Sequence, residues 1–217
     1  MGIFYFPSNF VYWRKLPNHE NIKKTILNFI DDNPQILESY SAVFNGKSSY
    51  NNTAIYDFFS KNDDIIKSVI MDSLDEAVHE LNSNDTSLKT NIDSWLINSI
   101  WCSKYDEKSV VSCHNHEGGG ETTTYVNNKP FKLAFSIIYV VNDTNASNQT
   151  EFIQTTSHGV SAYMNSETRF KTSEIKDIGE GSVLVFPTNL YHLVNPVLES
   201  GRVIISANIS SHFVKNS

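Results

Sequence analysis

Cysteine is scarce: Cys102 and Cys113 are the only two in 217 residues. Two thiols cannot build a disulfide framework, so reduced thiols and a cytoplasmic location are the expectation. No apolar run reaches the length that spans a membrane, and no collagen-like period or disorder-type composition occurs. Basic residues are also few, 17 Lys and Arg against 24 Asp and Glu, for a net charge of -7. With no Lys/Arg cluster to offset that charge, nucleic acid is not expected as a partner, and neither is a membrane. The opening stretch MGIFYFPSNFVYW lacks a basic region and a small-residue cleavage site, and Pro7, Ser8 and Asn9 interrupt it. It is therefore not read as a signal peptide. Phe6 stands where a myristoylation signal needs Ser or Thr. The sequons at Asn142 and Asn148 are accordingly expected to carry no glycan. No internal repeat is visible.

What is present is an ordinary globular composition, 40% hydrophobic and 19% charged, in a chain of the right size for one domain over 1–217. Residues 1–93 read as mainly helical. NHENIKKTILNFIDDN carries Ile22, Ile26, Leu27 and Ile30 at helical spacing, with Asn18 as N-cap. DDIIKSVIMDSLDEAVHEL carries Ile66, Ile70, Leu74, Ala77 and Leu81 as one stripe. NSNDTSLKTNID has no pattern and reads as a loop. Over 94–212 the texture changes to short β-prone runs: SWLINSIWCS, SVVSCH, FKLAFSIIYVV, GVSAYM, SVLVFP and RVIISANIS. Helices followed by strands predict an α+β chain, with the helices buttressing an antiparallel sandwich or barrel. KYDEK, between two of the runs, reads as a hairpin loop.

The candidate chemistry begins at SVVSCHNHEGGGE, residues 109–121. In a strand, positions i and i+2 share a face, so His114 and His116 can present imidazole nitrogens to one metal. Imidazole suits Fe, Zn, Cu or Ni, so the pair alone does not name the ion. A polar, glycine-rich loop holding two histidines is the plainer alternative. A third histidine, His192, follows the strand GEGSVLVFP, and Arg202 opens the run ESGRVIISANIS. On that run Arg202, Ile204, Ser206 and Asn208 share one face, while Val203, Ile205, Ala207 and Ile209 share the other. The second face is wholly apolar and should pack on helices or a second sheet. The first, with one Arg and two small polar groups, suits the wall of a polar cavity. Arg can grip both oxygens of a carboxylate.

In order, a close histidine pair, a distant histidine and an Arg ten residues beyond it resemble the iron(II)- and 2-oxoglutarate-dependent oxygenases. VLVFPTNLYHLVNPVLESGRVIISANI is similar to the last strands of the prolyl-hydroxylase-like branch, including bacterial and phage members of open substrate. CHNHEGG resembles the first ligand segment and FSIIYVVND the tyrosine-bearing strand after it, so that the likeness spans roughly residues 95–210. It implies a double-stranded β-helix, or cupin-like jelly roll, with Fe(II), 2-oxoglutarate and O2 as cofactor and co-substrates. By position, His114 would be the first ligand and His192 the distal one. Arg202 would hold the far carboxylate of 2-oxoglutarate and Tyr139 donate a hydrogen bond to it, with Ser206 and Asn208 also lining the co-substrate.

One departure stands out. The family's third ligand is a carboxylate, and His116 occupies that position here. His116, Glu117, Glu121 and a water are the candidates. Three neutral imidazoles would leave the full metal charge for the 2-oxoglutarate dianion to offset. The expected activity is hydroxylation of a C–H bond with release of succinate and CO2, on a peptide, protein or amino-acid substrate. Two rivals remain: a three-histidine cupin-type dioxygenase that uses no 2-oxoglutarate, and a non-enzymatic jelly-roll binding module. The stretch EGGGETTTYVNNKP is a candidate lid. His19, His79 and His212 are expected to be exposed, His158 to be a loop residue, Trp95, Trp101 and Phe186 to be core, and Cys113 to face away from His114.

Overall fold

A computed structural model describes residues 1–5, 9–40, 44–84, 92–116, 123–144, 150–155 and 167–213. The chain starts with strands β1 (Gly2–Tyr5) and β2 (Phe10–Lys15), followed by helix α1 (His19–Asp32). Strands β3 (Glu38–Tyr40) and β4 (Gly46–Ser48) precede helices α2 (Ala54–Ser60), α3 (Asp63–Ile66) and α4 (Asp72–Asn84). Nine strands come next: β5 (Ile92–Tyr105), β6 (Val111–His114), β7 (Thr123–Val126), β8 (Lys129–Asn142), β9 (Thr150–Thr155), β10 (Glu167–Lys171), β11 (Ser182–Pro187), β12 (Tyr191–Val194) and β13 (Arg202–Phe213). Among the described residues no helix is long and apolar enough to cross a membrane.

Two sheets face each other. The larger has the order β1-β2-β11-β8-β13-β5-β4-β3, with β7 also on β8, and the smaller has the order β10-β9-β12-β6. The chain passes from one sheet to the other between β5 and β6, β6 and β7, β8 and β9, β10 and β11, β11 and β12, and β12 and β13. All pairings are antiparallel. This is the double-stranded β-helix, and the α+β expectation holds.

The alternation on β13 orients the whole molecule. Val203, Ile205, Ala207 and Ile209 join Ile22, Ile26 and Ile30 of α1 and Leu74, Ala77 and Leu81 of α4 in one apolar core, outside the larger sheet. Ile204 points the other way, into a second core between the sheets with Ile138, Val140, Phe152, Leu184 and Phe186. At about 25 cal/mol per Å² of buried apolar surface, the two cores clamp the larger sheet from both sides.

Several sequence expectations change. Residues 1–93 are more than a helical buttress, because β1 to β4 extend the larger sheet at both edges. Each is too short to show a clear two-residue period. Asn18 precedes α1 but makes no side-chain cap. Between α3 and α4 the helix passes through a π turn, Lys67–Met71, where the Asp72 N–H reaches Lys67 O. The extra residue rotates the stripe, so that Ile65 and Val69 are buried in line with Ile70 and Leu74, and Ile66 only partly. KYDEK is a crossover between the sheets, not a hairpin loop, since β5 and β6 belong to different sheets. A tight hairpin does join β7 and β8, turned by Asn127 (φ 50°) and Asn128 (φ 61°). Paired asparagines in the left-handed region make the turn that suits twisted strands. Residues 123–130 are thus strand and turn rather than an open lid; the lid's remainder, 117–122, and the run GVSAYM lie outside the described residues.

Candidate metal centre

His114 ends β6, and its direct cross-strand partner on β12 is His192. Opposed positions in an antiparallel pair put their side chains on the same face, so pairing alone brings these rings together. Their centroids stand 4.3 Å apart. His116 lies just beyond β6, anchored by its backbone N–H to Thr188 O at 2.8 Å. Its ring is 5.2 Å from that of His114 and 5.0 Å from that of His192. One nitrogen from each ring falls within 4.8 Å of the others.

The hydrogen bonds decide which nitrogen. Nδ1–H of His114 donates to Ser112 O at 2.8 Å, and Nδ1–H of His192 donates to Leu190 O at 3.2 Å. Nδ1–H of His116 donates to Asn208 Oδ1 at 2.6 Å and to Ser136 Oγ at 2.7 Å. A neutral imidazole carries one proton, so all three Nε2 atoms are left as lone pairs. The 3.3 Å approach of His114 Nε2 to His116 Nε2 is then no hydrogen bond, because neither nitrogen has a proton to give. It is a separation that two donors sharing one ion would have at a metal–nitrogen distance of roughly 2 Å.

Burial keeps the rings neutral. Desolvation lowers the pKa of His114, and pushes that of His116 down to about 4 against the opposing hydrogen bond to Asn208. His192, 4% exposed, is held well below the usual histidine value by burial and then by its two histidine neighbours. Phe186 and Phe152 pack on its ring at 5.0 and 5.9 Å. Neutral imidazole is the form that binds a metal.

Arg202 opens β13 on the inner face and is 2% exposed. Its guanidinium lies 5.1 Å above the Tyr105 ring, which contributes a cation–π attraction. Nε and Nη1 have no hydrogen-bond partner among the described residues. A buried charge with unspent donors is costly unless a ligand completes it. Ser206, also buried, lies on the same wall opposite Trp101 of β5 and Ile138 of β8.

One expectation for the co-substrate does not hold. Tyr139 faces the other way: it pairs with Ile205 and Val183, both in the outer core, and its hydroxyl is 2.8 Å from His19 Nδ1. Asn208 faces inward as expected, but its Oδ1 is taken by His116 and by the Ser136 hydroxyl. His19 is not exposed; its side chain is 12% accessible and reaches Glu180 Oε1 at 3.3 Å. Trp101 is not core. It is partly exposed, 6.0 Å from the His116 ring, with Tyr50 edge-on at 5.2 Å. Trp95 is half-buried against the outer core, Phe186 is core, His79 and Cys113 are exposed, and His212 is partly so. Glu117, Glu121 and His158 lie outside the described residues. Ser136 was missed in the sequence. It sits in the continuous apolar run FSIIYVV, where a small polar residue on the inner face is the one available signal.

The fold and the donor set define a double-stranded β-helix with a three-histidine centre. No family model matches the sequence, and no match to a curated protein is found. Solved structures do match in fold. The non-haem alpha-ketoglutarate-dependent carbocyclase SnoK of nogalamycin biosynthesis aligns with a TM-score of 0.54 at 6% identity, over 92% of this chain and 80% of that one. Iron-bound HygX from Streptomyces hygroscopicus aligns at 0.53 and 10% identity, over 93% and 82%. A prolyl hydroxylase from Trichoplax adhaerens, in complex with a hypoxia inducible factor peptide fragment, aligns at 0.50 and 12%, over 93% and 83%. The chain shares the jelly-roll fold of these three proteins.

Proposed function

We propose that the protein is an Fe(II)- and 2-oxoglutarate-dependent dioxygenase that hydroxylates a C–H bond of a peptide, protein or amino-acid substrate. One observation carries this reading: three Nε2 lone pairs converge between the sheets, and the same interior holds a buried guanidinium with unpartnered Nε and Nη1. The fold shared with iron- and 2-oxoglutarate-using enzymes supports it. The Trichoplax prolyl hydroxylase, whose structure holds a peptide fragment, supports a peptide as the kind of substrate. The cytoplasm is the proposed location, resting on the two free cysteines.

When bound, the ion and co-substrate supply the oxidation: 2-oxoglutarate loses CO2 to give succinate as O2 is consumed and one oxygen atom enters the C–H bond. The chain's own part is to hold and exclude. His114, His116 and His192 hold the ion through Nε2, each ring turned by its Nδ1–H bond. Three ligands from the chain would leave room on the ion for co-substrate and oxygen. Arg202 offers Nε–H and Nη1–H to the far carboxylate, with Ser206 on the wall beside it. Phe152, Phe186, Leu190 and Ile204 keep the interior dry. Trp101 and Tyr50 present an aromatic face beside His116, suited to packing a substrate's aliphatic C–H surface.

One feature favours a second reading, a three-histidine dioxygenase without 2-oxoglutarate: His116 stands where the resemblance places a carboxylate. Anaerobic Fe(II) with 2-oxoglutarate separates the two. A visible metal-to-ligand charge-transfer band, abolished by Arg202→Ala, together with substrate-dependent succinate, is the expected result. Full Fe(II) binding with no band sinks the first reading and leaves the second. Absence of metal binding sinks both and favours a non-enzymatic module.

A further inference from the structure

We propose that Ser136 and Asn208 are positioning residues that lock His116 as a third, uncharged metal ligand. This rests on the metal reading above and concerns how the unusual ligand is held. His114 and His192 each sit in a paired strand and donate Nδ1–H to the carbonyl two residues earlier in the chain, Ser112 and Leu190. Their orientation is therefore set locally. His116 lies past the end of β6, and the residue two before it is His114 itself. Its ring is gripped from across the sandwich instead. Asn208 of β13 and Ser136 of β8 are direct cross-strand partners in the larger sheet, so their side chains stand side by side. His116 Nδ1 reaches Asn208 Oδ1 at 2.6 Å and Ser136 Oγ at 2.7 Å, and Ser136 Oγ donates to Asn208 Oδ1 at 2.9 Å. The three groups close a ring of hydrogen bonds that permits one tautomer, Nδ1–H with Nε2 bare.

Every acceptor in this arrangement is neutral: two backbone carbonyls, an amide and a hydroxyl. Among the described residues no carboxylate is hydrogen-bonded to any of the three imidazoles. The described ligands and their supports thus add no charge to a dication. Charge compensation falls to the anionic co-substrate, and metal and co-substrate should strengthen each other's binding.

The test is a metal titration with Fe(II), under anaerobic conditions, and with Co(II), both without 2-oxoglutarate, alongside the Co(II) visible spectrum. Asn208→Leu is expected to weaken both metals by about 10–100-fold and to alter the Co(II) bands. Ser136→Ala should do less, because the amide oxygen remains. Asn208→Asp restores the acceptor and adds a charge, so it should recover or exceed wild-type affinity and reduce the enhancement by 2-oxoglutarate. If Asn208→Leu does not fold, Asn208→Ala carries the same expectation. A folded Asn208→Leu or Asn208→Ala variant with wild-type affinity and an unchanged Co(II) spectrum overturns the proposal. If His116→Ala also leaves affinity unchanged while His192→Ala abolishes it, His116 is no ligand. The proposal then falls while the metal reading survives.

Discussion

A cluster containing histidine lies on each side of the larger sheet, and both have metal-binding proximity. On the outer face His19 stands with Glu20 and Glu180; between the sheets stand His114, His116 and His192. In the outer cluster each imidazole nitrogen has a partner. The Tyr139 hydroxyl is 2.8 Å from His19 Nδ1, and His19 Nε2 is 3.3 Å from Glu180 Oε1. Glu180 also accepts from Lys23 Nζ at 2.6 Å and from the Asp143 N–H at 3.0 Å. Gly181, at φ +80°, leaves room for the His19 ring, 3.0 Å from where a Cβ would stand. The inner cluster spends each Nδ1 on an oxygen and keeps three Nε2 in reserve. Proximity of donor residues is therefore not enough. A cluster becomes a site when the surrounding hydrogen bonds leave lone pairs over.

The largest expected effect comes from removing a member of the inner cluster. His192→Ala should cost more metal affinity than the about 10–100-fold typical of an outer-shell partner, whereas His19→Ala should leave both affinity and a stoichiometry of one ion per chain intact. Anaerobic Fe(II) titration followed by separation of bound and free metal reads both. A second ion lost with His19 would break the contrast.

Next is Arg202→Met. Losing two charge-assisted hydrogen bonds should weaken 2-oxoglutarate by about 3–6 kcal/mol, read as loss of the charge-transfer band at concentrations that saturate the unaltered protein. Without ligand the same change removes a buried cation with unpaired donors, so the variant should be more stable by about 1–2 kcal/mol in urea melts. A destabilised ligand-free variant would mean that the guanidinium is already satisfied.

Tyr139→Phe should do the opposite, lowering stability by about 1–2 kcal/mol and leaving metal and co-substrate affinity unchanged. Loss of 2-oxoglutarate binding in this variant would return Tyr139 to the co-substrate.

The smallest effect concerns acid. Burial pushes the Glu180 carboxyl up, but hydrogen bonds from Lys23, the Asp143 N–H and His19 outweigh it and hold its pKa below the ordinary carboxylate value. A depressed folded-state pKa contributes stability above the unfolded value, and that contribution is lost as pH falls through the folded one. Glu180→Gln should therefore be less stable at neutral pH, and its deficit should shrink as pH drops below the carboxylate range. An equal deficit at neutral and acid pH would mean that the effect is steric.

Much of the inner cluster was legible in advance because its logic is local. The period-two alternation of RVIISANIS separated the inward Arg202, Ser206 and Asn208 from the outward Val203 and Ile205, and H-x-H placed two imidazoles together. The orientation of Tyr139 was not legible. Residues 135–141 are buried on both faces of β8, so the run has no alternation to read, and the resemblance put the tyrosine on the wrong side. His19 and Trp101 were misjudged for a related reason: their neighbours come from Tyr139 and Glu180, and from Tyr50, all distant in sequence. The short strands of residues 1–48 and the π turn were hidden because each depends on partners outside its own window.

The sequence by itself determined β5, β6, β8, β11 and β13 and the residue types of the centre, since strand propensity and imidazole chemistry belong to short stretches of chain. Only the tertiary structure decided which hydrogen bond each imidazole makes, and so which nitrogen is left to bind. The acceptors for His116 come from β8 and β13, and those strands meet its ring only when the two sheets close.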